Sequence, residues 1–148
     1  MRSLQLFQNV GNWEMIKDGD AVARSIFHRH YSYQGGTAKM FVGPGQKMVL
    51  INHEGTALFV WRKYISDDGQ EGVNCAVFRN ESSVKSSDLI LEAEHIARKR
   101  WPLERLFTYV NPKKIESINP GYCFKKAGWR TVGKTKKRGL VILEKLPA

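Results

Sequence analysis

A histidine, a tyrosine and a serine stand side by side at His30, Tyr31 and Ser32, just before the Gly35-Gly36 pair. Imidazole gains and loses a proton near neutral pH, and an aromatic ring can stack on an extruded nucleobase. The three residues are therefore candidate catalytic residues, for proton transfer or for contact with a base. The alternative is that they pack in the core at the end of a helix.

A second candidate site begins at Arg79, which follows an apolar run and precedes a segment rich in serine. A guanidinium group binds phosphate or carboxylate through paired hydrogen bonds. Arg79, Ser82, Ser83 and Ser87 are therefore predicted to contact an anionic cofactor. The alternatives are a surface salt bridge between Arg79 and Glu81, and serines that only cap a helix or solvate a loop.

Positive charge is concentrated in the last third of the chain. Residues 1–97 contain 10 Lys and Arg against 11 Asp and Glu, residues 98–148 contain 14 against 3, and the net charge is +10. A localised basic surface binds polyanions by releasing their counterions, so double-stranded DNA is the expected partner. The alternative is a face that only maintains solubility. The predicted phosphate contacts are Lys125, Lys126, Arg130, Lys134, Lys136, Lys137 and Arg138.

The cysteines and histidines favour a reduced protein without a metal site. Cys75 and Cys123 lie in apolar or aromatic segments and are expected to be buried thiols. The histidines show no metal-ligand spacing. No apolar run is long enough to cross a bilayer, and the N-terminus lacks a signal-peptide pattern. We therefore expect a cytoplasmic location and no membrane partner.

Periodicity and turn residues predict a single α/β domain over residues 1–148. Strands are expected at 4–10, 47–52, 57–65, 73–79, 105–110, 129–133 and 140–146, with the second to fourth as an antiparallel meander. The first helix should be capped by Asp20 and carry His30 and Tyr31 at the end of its buried face. The second should be capped by Ser87 and Asp88 and end at Pro102, with Glu92 and Glu94 in solvent. A short third helix should end at Gly128.

This β-α-β-β-β-α-β-α-β-β order resembles the GNAT (Gcn5-related N-acetyltransferase) superfamily over nearly the whole chain. The most specific stretch is Asn119-Pro120-Gly121-Tyr122-Cys123-Phe124-Lys125-Lys126-Ala127-Gly128-Trp129-Arg130, which is similar to the helix-to-strand turn of that family. The resemblance implies a mixed central sheet of about six to seven strands flanked by three or four helices. It also implies a transferase that uses acetyl-CoA or a related acyl donor.

The resemblance implies further site residues and shows one departure. In the family the strand before the long helix runs into a glycine-rich loop whose amides hold the coenzyme A pyrophosphate. Serines and no glycine stand at 80–87 here. Asn111 and Tyr122 match positions where the family places an asparagine near the cofactor and a tyrosine that acts as general acid. The alternative for Tyr122 is a buried structural role.

A narrower resemblance, carried by His30-Tyr31-Ser32 and the Arg79 segment, is to the phage Mom proteins, GNAT-like enzymes that modify adenine in DNA. It implies a transferase that modifies a nucleobase amine, in the host cytoplasm if the chain is phage-encoded. One alternative is an acetyl-CoA-dependent N-acetyltransferase for a protein or small-molecule amine. Another is a non-catalytic DNA-binding module, since fold does not fix function. The transferred group, the DNA context and possible homodimer formation stay open.

Overall fold

The structure is a computed structural model that describes residues 9–30, 35, 40, 42–43, 45–65, 68–114, 119 and 121–147. Within these residues the chain forms eight strands and three helices. In chain order they are β1 (Asn9–Val10), β2 (Trp13–Ile16), α1 (Ala21–His28), β3 (Gln46–Asn52), β4 (Ala57–Lys63), β5 (Val73–Asn80), α2 (Ser86–Arg100), β6 (Leu106–Val110), α3 (Tyr122–Lys126), β7 (Arg130–Lys134) and β8 (Val141–Lys145).

The described strands form one mixed sheet in the order β1-β2-β3-β4-β5-β6-β8-β7. The predicted meander of β3, β4 and β5 is confirmed, as is the antiparallel hairpin of β7 and β8. The pair β5 and β6 is parallel, because α2 carries the chain from the end of one strand back to the start of the other. The predicted α/β fold class is confirmed.

The helices lie on both faces of the sheet, and β4 shows why. Its alternate residues Phe59 and Trp61 pack in the core that α2 covers, whereas Leu58 and Val60 pack in the core that α1 covers. Side chains on a strand alternate between faces, so a strand that is apolar at every position must be buried on both. The Trp61 indole also donates a hydrogen bond to the carbonyl of Ala93 on α2, at 3.1 Å.

Helix α1 begins as predicted and ends earlier than predicted. The Asp20 carboxylate accepts hydrogen bonds from the amides of Val22 and Ala23, so the predicted cap is confirmed. The helix ends at His28, and the amide of His30 donates to the carbonyl of Phe27 in a tightened last turn. His30 is therefore buried beyond the helix and not on it. Tyr31 and Ser32 lie outside the described residues, as do residues 1–8 of the first predicted strand.

The predicted caps of α2 are wrong. The helix begins at Ser86, Lys85 occupies the N-cap position, and no side chain caps it, so Ser87 and Asp88 belong to its first turn. The cause lies one loop earlier, where the Asn80 amide donates to the carbonyl of Val84 and to the hydroxyl of Ser86 and fixes the entry of the chain. The end before Pro102 is as predicted.

One further prediction is corrected by the packing, and one strand was missed. Glu94 is not in solvent, because its carboxylate accepts hydrogen bonds from the Trp129 indole and, at 2.7 Å, from the Lys145 ammonium. The short strand β2 was not predicted, although the Gly11-Asn12 turn before it is of a kind that joins hairpin strands.

No described helix has the length and apolar character needed to cross a membrane.

Candidate functional site

The centre of the sheet contains a fork between the parallel strands β5 and β6. Their registered pairing runs only from Val73 with Leu106 to Cys75 with Thr108, although β5 continues to Asn80. The Thr108 hydroxyl donates to the carbonyl of Cys75 at 3.0 Å and closes the apex of the fork. Beyond it the strands diverge towards their carboxyl ends, where open parallel sheets usually bind ligands.

A cavity of about 320 Å³ occupies the fork. It has walls on both faces of the sheet, because His30 follows α1 whereas α3 packs on the α2 side. Gly121 brings α3 close: its φ is +77°, and a Cβ there would lie 2.8 Å from Leu143 on β8. The lining consists of His30, three residues of β5 (Cys75, Ala76, Phe78), three of β6 (Thr108, Tyr109, Val110) and five at α3 (Asn119, Gly121, Tyr122, Cys123, Phe124).

A β-bulge lies on the β5 wall of this cavity. On β4, Trp61 is in register with Cys75 and Val60 with Val77, so Ala76 is an extra residue of β5 without a partner. A bulge leaves the extra residue outside the ladder and is common beside active sites. On the other side of β5 the registered pairing with β6 has ended at Cys75. Ala76 thus lines the cavity at a point where β5 has no registered partner on either side.

The electrostatics of the cavity keep His30 neutral. Burial, and then the nearby Arg79 guanidinium, lower the pKa of His30 to about 4, although a hydrogen bond to the backbone of Phe78 acts in the opposite direction. At neutral pH the imidazole therefore carries no charge. A neutral ring can accept one hydrogen bond and donate another, but it does not hold a proton taken from a ligand.

The two thiols of the cavity are protonated at neutral pH. Burial raises the pKa of Cys75 and that of Cys123. The thiolate is the nucleophilic form of cysteine, so neither thiol is activated for covalent catalysis. The expectation of buried, unbridged thiols is confirmed for Cys75, and Cys123 is unbridged and half-buried.

Arg79 is engaged at the end of β5. Its Nε lies 2.6 Å from Glu81 Oε2, and Arg29 binds the same carboxylate through two hydrogen bonds of 2.7 Å. Bonds from Arg29 and then from Arg79 lower the pKa of Glu81 to about 2. The salt bridge that sequence reasoning weighed as an alternative is therefore present, and it leaves one net positive charge beside His30.

The serine segment forms a compact loop held from within. The Asn80 carboxamide oxygen accepts from the amide and the hydroxyl of Ser82, and the Ser82 hydroxyl accepts from the amide of Val84. Two loop amides are therefore used internally. Ser83 is exposed, Ser87 is half-buried in the first turn of α2, and neither lines the cavity.

Two residues assigned by the resemblance lie at the open end of the fork. Tyr122 is the first residue of α3, is 54% exposed and lines the cavity. It is not a buried structural tyrosine. Asn111 follows the last residue of β6, and its side chain accepts a hydrogen bond from the amide of Lys113 at 3.0 Å.

The predicted DNA contacts are divided among the β7–β8 hairpin tip, the start of β7 and α3. Lys134 and Val110 are each in register with Val141, so the exposed hairpin tip with Lys136, Lys137 and Arg138 lies at the open end of the fork. Arg130 lies at the other end of β7, where it binds Glu144 at 2.7 Å. Lys125 and Lys126 are exposed on α3.

Sequence reasoning missed most of the cavity walls. Ala76, Phe78, Thr108 and Tyr109 belong to strands that were predicted, but apolar alternation carries no signal for a bulge or for the point where two strands separate. The sequence did mark Tyr122, through the Asn-Pro-Gly turn before it.

Comparison with known proteins supports the fold. No protein-family model matches the chain, and no curated protein matches it. Three solved chains match, among them one described as the crystal structure of the acetyltransferase (GNAT family) from Bacillus anthracis. That likeness has a TM-score of 0.55 and 13% sequence identity, and it covers 93% of this chain and 96% of that one. The chain therefore has a GNAT-like fold.

Proposed function

We propose that this protein is an acyltransferase that moves an acyl group from a coenzyme A thioester to an amine. The observation that carries the proposal is the fork cavity, which has walls on both faces of the sheet and a β-bulge on one side. A group-transfer reaction needs two substrates to meet at one point, and a cavity that reaches both faces of the sheet could receive one substrate from each face. The structural likeness to an acetyltransferase supports the same reaction class.

The fork fits the acyl arm of such a donor better than the serine loop fits its pyrophosphate. The backbone of Ala76 can bond an extended arm in the way that a neighbouring strand would. The amides of Ser82 and Val84, by contrast, are used inside the loop. The groups that could still bind the phosphates are the first backbone amides of α2 and the side chain of Lys85. We therefore expect a donor whose affinity depends more on its arm than on its phosphates.

The residues suggest how the chain would promote transfer. A thioester supplies an activated carbonyl carbon. A hydrogen bond from the Ala76 amide would stabilise negative charge on the carbonyl oxygen. With both thiols protonated, the amine would attack directly and no acyl-cysteine would form. Tyr122 at the rim would protonate the departing thiolate, as the family resemblance implies.

Calorimetry with acetyl-coenzyme A, combined with an assay of thiol release in the presence of amines, tests the proposal. Ala76→Leu should fill the cavity and weaken binding at least tenfold. Ala21→Leu, the same change at an exposed position of α1, should bind like wild type. Absence of binding at millimolar coenzyme would reject the proposal. Binding without turnover would instead indicate a non-catalytic module.

The second candidate function is acyl transfer to a nucleobase amine of duplex DNA, which would then be the acceptor. The observation that favours it is the basic tip of the β7–β8 hairpin at the open end of the fork. Mass spectrometry of nucleosides from the DNA of expressing cells tests it. A modified adenine would support this acceptor, and an unmodified pool with abundant protein would exclude it.

A further inference from the structure

Tyr109 on β6 connects the cavity to a surface carboxylate. It belongs to the cavity lining, and its hydroxyl donates a hydrogen bond of 2.5 Å to Asp68 Oδ1. Asp68 lies in the segment between β4 and β5 and is exposed to solvent. A tyrosine hydroxyl that donates to a carboxylate still has lone pairs with which to accept a hydrogen bond from another group.

Tyr109 lies on the face of the sheet that α1 covers. Thr108 closes the fork apex, and Val110 packs in the core covered by α2. Because side chains alternate along β6, Tyr109 points to the opposite face, which is also the side of His30. Its ring is fixed edge-on by Phe107, at 5.6 Å between centroids. The charged and titratable groups described on this face include His30 after α1, Arg62 on β4, Asp68, Arg79 on β5, Arg105 just before β6, Arg130 on β7 and Glu144 on β8.

Acyl transfer to an alkyl amine at pH 7 releases one proton overall, because the amine arrives as an ammonium. The nitrogen loses two protons as the new nitrogen–carbon bond forms, and the sulfur gains one as the carbon–sulfur bond breaks. His30 is a poor final acceptor because it is buried and stays neutral near the Arg79 guanidinium. The proton therefore needs a path to water.

We propose that Tyr109 and Asp68 form a proton relay from the acceptor amine to solvent. The inference rests on the proposed acyltransfer function. The Tyr109 oxygen takes a proton from the nitrogen while its own proton passes to the Asp68 carboxylate, which exchanges it with water. Tyr109 is then a catalytic residue, and Asp68 completes the path.

Tyr109→Phe and Asp68→Asn test the relay, with Tyr64→Phe as the matched control. Tyr64 is half-buried, its ring is stacked under the Arg62 guanidinium, and it does not line the cavity. Each variant is assayed with acetyl-coenzyme A and three acceptors: spermidine, Nα-acetyl-lysinamide and an adenine-containing DNA duplex. At pH 7 we expect kcat to fall roughly 10- to 100-fold in both relay variants, with KM for acetyl-coenzyme A within about twofold of wild type. The double variant should be no worse than either single variant, since both interrupt one path.

The pH profile separates a relay from a structural role. With the two alkyl amines the loss should shrink towards pH 10, because the amine then arrives already deprotonated. If the wild type is active, two results would overturn the relay but not the proposed function. The variants could keep the wild-type kcat at pH 7, or they could lose the same fraction of kcat at every pH. Wild-type protein that binds acetyl-coenzyme A but modifies none of the three acceptors would also overturn it. Failure to bind acetyl-coenzyme A would overturn the proposed function together with the relay.

Discussion

The two sides of β5 differ in what they do. Towards β4 the register runs the length of the strand, from Ala57 with Asn80 to Lys63 with Val73, interrupted only by the bulge. Towards β6 it stops at Cys75. The first side buries large side chains on both faces and holds the fold together, whereas the second leaves backbone and space for a ligand. One edge of β5 thus stabilises the fold, whereas its other edge borders the candidate site.

The largest effect expected from this comparison is on the structural side. Trp61 is fully buried and packs on Phe59 at 4.6 Å between ring centroids. Trp61→Ala should lower the free energy of unfolding by about 3–5 kcal/mol, measured by urea denaturation. Cys75→Ala, which removes one atom beside a cavity that already exists, should cost about 1 kcal/mol. Equal losses would mean that the fork is as tightly packed as the meander.

His30, in the wall of the fork, should make the stability of the protein depend on pH. Its pKa is about 4 when folded and near 6.5 when unfolded, so below pH 6.5 the unfolded chain binds a proton that the folded chain does not. Stability therefore falls as pH drops from about 6.5 to about 4, by on the order of 3 kcal/mol through this residue. Denaturation curves of His30→Gln across that range should lack this component. His95→Gln, on the exposed surface of α2, should keep the wild-type pH slope, and a His30→Gln slope equal to it would contradict the assignment.

Glu94 links α2 to the β7–β8 hairpin beside the fork, and a substitution there measures how much this link stabilises the fold. Its carboxylate joins the helix to Trp129, just before β7, and to Lys145 on β8. Glu94→Gln keeps the size of the side chain but leaves a partly buried ammonium without its counter-charge, so a loss of about 2 kcal/mol is expected in thermal or urea unfolding. Glu92→Gln, on the same helix and bonded to Asn12, is the matched control and should cost less. Equal costs would show that the buried ion pair has no special role.

The smallest effect on stability is expected at the basic hairpin tip. Replacing Lys134, Lys136, Lys137 and Arg138 with Gln should change unfolding by less than about 0.5 kcal/mol, because all four are exposed. If they bind phosphates, DNA binding should weaken alike on every sequence. The slope of log affinity against log salt should then shrink by up to about 0.9 for each phosphate that the variant no longer neutralises. Lys17→Gln with Lys99→Gln, at exposed sites elsewhere, removes two charges and is the matched control for the double variant Lys136→Gln with Lys137→Gln. An unchanged slope would place the hairpin away from DNA.

The sequence determined most of the strands and helices of this protein, but not β2. β-rich runs separated by turn residues located the meander, Asp20 marked the start of α1, and Pro102 marked the end of α2. These are local properties, because a period or a cap is set by residues a few positions apart. The same reasoning placed Glu94 in solvent, since nothing nearby in the chain announces Trp129 or Lys145 as its partners.

Only the tertiary structure decided where the site lies. The fork exists because β5 and β6, joined through α2, pair for a short distance and then diverge, and the bulge at Ala76 is visible only against β4. The link from Tyr109 to Asp68 joins residues 41 positions apart. Pairing register and long-range hydrogen bonds depend on how whole elements pack, so no local pattern encodes them.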